Sequence, residues 1–229
     1  MRSDESASAP FAPVWAFPQP WFRRFRPWGI DHGFFFLESI RSLSISASLF
    51  PSSRHLSRAL IRHVNFRKAT VLVELGIGTG AVTGEILKRM RPDARLYAID
   101  INPSFIVHIK KVMQDPRLVP IVGEAEHLAD ILGGLRVGPA DAIVSSLGLT
   151  NMAETQRARI MAQAARHLRR TGVLAQYQYL HANGEPNWLS RIGVMRFREE
   201  RFLRQYFRQV VSERVIVNLP PARVFTCRR

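Results

Sequence analysis

The sequence contains one cysteine, Cys227, in 229 residues. No internal disulfide can close and no cysteine–histidine ligand set exists, so a disulfide scaffold and a zinc finger are excluded and a reducing compartment is the natural setting. Lysine is almost as scarce: Lys68, Lys88, Lys110 and Lys111 stand among 33 cations, the rest being arginine. No uninterrupted apolar run reaches the roughly 18 residues of a spanning helix, and no basic stretch followed by an apolar segment opens the chain. Neither membrane spanning nor secretion is expected. Acidic residues number only 18, leaving a formal charge of +15. What remains is 46% hydrophobic, 22% charged and 10% aromatic, the composition of a globular chain with one core.

The positive charge is unevenly spread. Residues 1–69 sum to +6, residues 70–150 to −1 and residues 151–229 to +10. A neutral middle between basic flanks suits a polyanionic partner, an anionic bilayer or a nucleic acid, while an arginine-rich composition without a partner is the plain alternative. Residues 1–32 read as an arm whose first nine residues are small, polar and expected to be disordered. From Pro10 to Trp28 prolines exclude a continuous helix, and Trp15, Trp21, Phe22, Phe25 and Trp28 interleave with Arg23, Arg24 and Arg26. Tryptophan beside arginine suits a bilayer headgroup layer, and an arm packed on its own domain fits equally well.

Residues 33–68 read as two helices. Phe36, Leu37, Ile40, Leu43 and Ala47 share one face of the first. Pro51 breaks it, and Ser52 or Ser53 can cap a second reaching about Val64, with Leu56, Ala59 and Leu60 on one side and Arg54, Arg58 and Arg62 as a basic stripe. Such helices either cover the core or offer a membrane surface.

Residues 69–229 alternate between strand and helix patterns. Strands are expected at 71–75, 95–99, 118–122, 140–145 and 173–179, with helical spacing at Val82, Ile86, Leu87 and Met90 and again from Ile160 to Leu168. This alternation specifies an α/β fold with a mostly parallel sheet. The last two strands, at 210–217 and 223–227, are separated only by Asn218 to Ala222, too short for a parallel crossover, and must form an antiparallel hairpin. Between them and the fifth strand, Arg196, Arg198, Arg201, Arg204 and Arg208 with Phe202, Leu203, Tyr206 and Phe207 read as a basic amphipathic helix, either a membrane face or a sheet cover.

Glu74 to Gly80 reads E-L-G-I-G-T-G, where a hydrophobic strand gives way to a helix. Glycines there let the backbone turn sharply and approach a ligand. Asp100 closes the second strand, placed to accept ribose hydroxyls, so a nucleoside cofactor is expected. Gly76, Gly78 and Ala81 also satisfy the relaxed dinucleotide pattern. Glu74 argues against it, because its charge repels a pyrophosphate and attracts the ammonium and sulfonium of S-adenosylmethionine.

The stretch from residue 71 resembles the Rossmann-like class I methyltransferases, whose seven-stranded sheet ends in such a hairpin. The resemblance assigns cofactor binding to Glu74, Gly76, Gly78, Thr79, Gly80, Asp100, Ile101, Gly123, Glu124, Ala125, Ser145 and Ser146, and no metal. Glu124 would hold the adenine amino group, although a carboxylate at a helix start serves the helix dipole as well. After the fourth strand stand Ser145, Ser146, Leu147 and Gly148 rather than N-P-P-Y, which disfavours a planar nitrogen acceptor. An aliphatic amine needs only to lose its proton, and Tyr177, Tyr179 and His181 are candidates to accept or relay it.

F-L-E-S-I-R at 36–41, P-S-S-R-H-L at 51–56, S-S-L at 145–147, Q-Y-Q-Y at 176–179 and N-L-P-P-A-R-V at 218–224 resemble the bacterial phospholipid N-methyltransferases. The resemblance implies an enzyme, soluble or peripheral on the inner membrane face, that methylates phosphatidylethanolamine towards phosphatidylcholine, or an ornithine lipid. It also implies an amine-headgroup lipid and an anionic membrane surface as partners. The competing expectation is an RNA adenine dimethyltransferase-like enzyme whose arginine–aromatic arm stacks on bases.

Overall fold

The computed structural model describes residues 52–179, 199–218 and 221–229. The N-terminal arm, the helix expected at 33–49, His181, Arg196 and Arg198 lie outside the described residues. Helix α1 (Ser52–Ile61) leads into β1 (Val71–Leu75), α2 (Ala81–Leu87), β2 (Arg95–Asp100), α3 (Pro103–Val112) and β3 (Leu118–Val122). A 3-10 turn (Ala125–His127), α4 (Leu128–Gly134), β4 (Ala140–Ser145), α5 (Glu154–His167) and β5 (Leu168–Tyr179) follow. The last described elements are α6 (Glu199–Leu203), β6 (Gln209–Val215) and β7 (Ala222–Arg228).

The strands form one seven-stranded sheet in the order β3-β2-β1-β4-β5-β7-β6. The first five are mutually parallel, and β7 runs antiparallel between β5 and β6. The expected hairpin is therefore present, with its second strand inserted beside β5. Alternation along each strand sends side chains to two faces. Leu72, Ala98, Val144, Ala175 and Val224 meet α1, α2 and α3 on the first face. Val73, Ile99, Ile143, Leu174 and Phe225 meet α4, α5 and the segment around Phe202 and Phe207 on the second. The central strands are buried on both sides because helices cover both, which is why they read as continuous apolar runs.

Three expectations are corrected in detail. The fifth strand begins at Leu168 rather than Val173, with a register irregularity opposite Ala140 and Ala142; exposed Arg169, Arg170 and Thr171 disguised it as a loop. The sixth strand stops at Val215, and Ile216 to Asn218 form a turn although the β-branched run continues. The basic amphipathic helix is, among the described residues, only five residues long. Its Phe202 and Leu203, with Phe207 beyond, are buried on the second face, so this segment covers the sheet.

Two arginines of the α1 stripe pair with acids of neighbouring elements while their side chains stay 56% and 61% exposed. Leu56, Ala59, Leu60 and Ile61 are buried. Arg58 Nε lies 3.4 Å from Glu85 Oε2 on α2, and Arg62 Nη1 lies 2.7 Å from Glu213 Oε2 on β6.

At the opposite sheet edge from the strand C-termini, Asp141 ties β1 to its neighbours. Its Oδ2 accepts from the amides of Thr70 (2.8 Å) and Val71 (3.0 Å) and from the Thr70 hydroxyl (3.2 Å), and its Oδ1 accepts from Arg169 at 2.6 Å. Burial alone would raise the Asp141 carboxyl, but the Val71 and Thr70 amides, the Arg169 guanidinium and the Thr70 hydroxyl together hold it below its ordinary value. Asp141→Ala should lower the unfolding free energy by about 1 kcal/mol in urea titration, since two partly buried amides lose their acceptor. A carboxyl depressed by folding contributes stability above its unfolded pKa and loses it as pH falls through the folded value, so wild type and variant should converge in acid.

Candidate functional site

β1 is buried along most of its length and delivers Glu74, fully buried, to the C-terminal edge of the sheet. The chain then turns through Gly76, Gly78 and Gly80, with φ of 82°, 49° and 82°. Gly76 N donates to Ile99 O of β2 at 2.8 Å and Gly80 N to Ile77 O at 2.9 Å, fixing the loop that joins β1 to α2. A side chain at Gly80 is doubly prevented: its φ is left-handed, and a Cβ would fall 2.5 Å from Ile109 Cδ1. At Gly78 a Cβ would meet nothing within 4 Å, so this side of the loop is open to an approaching ligand. Thr79 between them is exposed.

Thr83 Oγ1, in the first turn of α2, donates to Glu74 Oε2 at 2.8 Å. Glu74 Oε1 is buried without a partner. Burial pushes the Glu74 carboxyl up to about 8; the Thr83 hydrogen bond opposes this and the nearby Asp100 charge adds to it. Asp100 is 5% exposed; its Oδ2 accepts from Gly78 N at 3.0 Å and its Oδ1 from Asn102 N at 2.9 Å. Burial raises its pKa against those amide bonds and that of Ile77. Of the carboxylate's roughly four acceptor sites, these three amides leave about one for a hydroxyl donor.

The remaining cofactor candidates ring the same edge. Ile101 is 55% exposed beside Asp100. Gly123 N donates to Asp100 O at 3.0 Å, bringing the end of β3 against β2. Glu124 is half-buried before the 3-10 turn that Ala125 begins, and its Oε2 lies 3.7 Å from His127 Nε2. Across β1, Ser146 N donates to Leu75 O at 2.8 Å, while Ser146 Oγ is buried without a partner. Ser145 is fully buried, its Oγ accepting from Leu147 N at 3.4 Å.

Of the catalytic candidates, Tyr177 and Tyr179 lie together on the first face, their rings T-shaped with centroids 5.1 Å apart. Burial, the Tyr179 side chain that it hydrogen-bonds and the Glu199 charge push the Tyr177 phenol well above its usual value. It remains protonated through neutral pH. Two residues that the sequence reading passed over stand on the other face. Gln176 is fully buried, and its Nε2 donates to Leu147 O and Tyr177 O, each at 2.8 Å. Glu199 is 2% exposed, and burial pushes its carboxyl up to about 8 despite the interaction with the Gln176 side chain. Alternation in Q-Y-Q-Y puts the glutamines and tyrosines on opposite faces and could have drawn attention to Gln176; Glu199 sits in a charged run and carries no such signal.

A positively charged ligand group suits this edge: an open glycine loop, a buried carboxylate with one oxygen free, and a second carboxylate at the neighbouring strand end. Residues 72–172 match a family described as a methyltransferase domain. The ornithine lipid N-methyltransferase of Singulisphaera acidiphila is 31% identical over 183 residues, covering 80% of this chain and 88% of that enzyme. The chain belongs to that enzyme's family, within the class I S-adenosylmethionine-dependent methyltransferases. Among solved structures, the 1,6-didemethyltoxoflavin-N1-methyltransferase of Burkholderia thailandensis, with S-adenosylhomocysteine bound, superposes with a TM-score of 0.60 at 16% identity, covering 90% of this chain and 92% of that one. Ribosomal RNA small subunit methyltransferase H of Shewanella denitrificans is 30% identical over 101 residues, 42% of this chain and 32% of that protein.

In the methyltransferase, the free Glu74 Oε1 and the open face of Gly78 fit a cofactor bearing an ammonium and a sulfonium. A carboxyl raised from 4.5 to about 8 holds a proton in the folded state that the unfolded chain gives up. The Glu74 contribution to ligand-free stability is therefore full below about 4.5 and is lost as the pH rises towards 8. Glu74→Gln should stabilise the ligand-free protein at pH 8 by about 1 kcal/mol or more, read from thermal melts across this range. Calorimetry should find S-adenosylmethionine binding weakened at least about tenfold, since a charge-assisted contact is lost.

Proposed function

We propose that the methyltransferase transfers a methyl group to the amine of a membrane-lipid headgroup, phosphatidylethanolamine towards phosphatidylcholine or an ornithine lipid, from an anionic membrane surface. The observation that carries this reading is the likeness, across most of the chain, to an enzyme named for ornithine lipid N-methylation. The segment after β4 supports it. Ser145 to Gly148 offers no asparagine side chain to clamp a planar nitrogen, which favours an aliphatic amine over a base in RNA. The RNA methyltransferase likeness spans less than half of this chain.

S-adenosylmethionine supplies an electrophilic methyl carbon when bound. Glu74 then holds the cofactor ammonium, Asp100 the ribose hydroxyls and Glu124 the adenine amino group. Thr79, Ile101, Gly123 and Ala125 border the nucleoside, and Ser145 and Ser146 stand at the end facing the acceptor. The chain's task is to align the acceptor nitrogen and keep it uncharged, against a reference amine pKa of about 10.4. Tyr177, protonated through neutral pH, serves the headgroup as a hydrogen-bond partner together with Tyr179. His181 remains a candidate for relaying the proton.

Surface features support a peripheral enzyme. No helix among the described residues is long and apolar enough to cross a membrane. The turn after β6 exposes Ile216 and Val217 at 71% and 66%. Arg214 and Arg223 face each other across the hairpin below them, and Ala222 pairs with both Val215 and Tyr179, so this turn lies at the same edge as the site. An apolar tip over paired arginines suits insertion between anionic headgroups.

Incubation with methyl-labelled cofactor and a mixture of bacterial lipid extract and total RNA should put label into amine lipids; label confined to RNA would refute the proposal. Replacing Ile216 and Val217 together by serine should reduce sedimentation with anionic vesicles about fivefold or more by removing buried apolar area, with S-adenosylmethionine affinity unchanged.

A further inference from the structure

Besides Glu74 and Asp100, the site edge carries a third buried carboxylate, Glu199, with no assigned task. Glu199 Oε1 has no hydrogen-bond partner. Glu199 interacts with the Gln176 side chain of β5 and lies close enough to Cys227 of β7 to raise its thiol. Gln176 spends its Nε2 on Leu147 O and Tyr177 O, and its Oε1 is likewise buried with no donor. Neighbouring buried acceptors that both lack donors are unfavourable unless a group rich in N–H enters, or Glu199 keeps a proton.

Their position selects between these. The Leu147 side chain lies against Gly76, where a Cβ would be 3.2 Å from Leu147 Cδ2. Ser146, next to it, adds another buried oxygen without a partner. Contacts thus run without a break from the cofactor loop through Leu147 and Gln176 to Glu199, on the acceptor side of β4. A primary ammonium brings three donors and one positive charge.

Resting on the lipid-amine reading above, we propose that Glu199 and Gln176 form the subsite for the headgroup ammonium, with Glu199 taking the proton that the nitrogen must lose before methylation. The N–H bond breaks with its electron pair left on nitrogen, the proton passes to Glu199 Oε1, and the lone pair becomes available to the methyl carbon. The Gln176 carbonyl accepts from a second N–H and holds the nitrogen in place.

The test uses the full chain with dihexanoyl phosphatidylethanolamine as acceptor. Glu199→Gln keeps the size and hydrogen-bonding capacity of the side chain but neither holds charge nor takes a proton. Its kcat/KM should fall at least about 30-fold, with S-adenosylmethionine affinity within about twofold of wild type and no loss of thermal stability. A folded variant with wild-type kcat/KM overturns the proposal, leaving Glu199 as a neutral acid that serves packing alone.

A second measurement needs no variant. The lipid is titrated calorimetrically into the complex with S-adenosylhomocysteine at pH 7, in two buffers of different ionisation enthalpy. Glu199, held at about 8 by burial, is then mostly protonated before binding. Its titratable neighbours Tyr177 and Cys227 are both raised and keep their protons, and the Arg204 guanidinium acts on the Cys227 side. Pairing with the ammonium should release about one proton per headgroup; no release overturns the proposal. A wild-type enzyme that binds cofactor but methylates neither this lipid nor an ornithine lipid removes the lipid reading and Glu199's role together, whereas an active wild type matched by Glu199→Gln removes only the latter.

Discussion

Glu74 is taken entirely out of water at the end of β1, and Thr83 satisfies only one of its oxygens. Desolvating a carboxylate without a counter-charge is among the least favourable things a fold can do, and a protein normally avoids it by pairing the group or keeping it protonated. Here the surroundings are arranged around that imbalance. The glycine turn leaves space beside the free oxygen, and Asp100 adds negative potential from the adjacent strand instead of relieving it. Left alone the acid keeps its proton near neutral pH, and a cation that enters can take the proton's place. A sulfonium cofactor carrying its own ammonium is the kind of ligand that does so.

Glu74 and Glu199 lie on opposite faces of the sheet, and the separation has a chemical logic. Glu74 belongs to the first face with α2, whereas Glu199 joins Gln176 on the second. Between them, β4 ends in Ser145 and Ser146, which carry no charge. A methyl donor and an amine acceptor, both cationic on arrival, repel each other in a medium of low dielectric constant. Giving each its own carboxylate, with the neutral end of β4 as the meeting place, reduces that repulsion where displacement has to occur.

Much of this was legible because it is local. The glycine spacing, the apolar runs of β1 to β4 and the short hairpin connection each follow from residues adjacent in sequence, and the structure reproduces them. The features that escaped depend on partners far along the chain. Arg58 and Arg62 read as an unengaged basic stripe and do stay exposed, yet each meets an acid far along the chain, Glu85 and Glu213. Glu199 stands beside Glu200 and Arg201, and nothing local distinguishes it from a surface residue; its burial comes from packing against β5 and β7. In Q-Y-Q-Y the aromatic residues attract notice, yet the glutamines occupy the buried positions. β5 itself was shortened because two arginines and a threonine at its start interrupt the apolar pattern.

The insertion of β7 between β5 and β6 has a bearing on how the molecule is assembled. β1, β2, β3 and β4 neighbour one another in the sheet and draw only on residues up to Ser145, so the cradle for the methyl donor is encoded in a contiguous early stretch. β5 acquires its second neighbour only when Ala222–Arg228 threads in, and that pairing fixes Gln176 opposite Phe225. Contacts of such long sequence separation form late. The strands that carry the glycine turn and Asp100 thus pair with one another without any residue beyond Ser145, whereas β5 depends on β7 for its second neighbour.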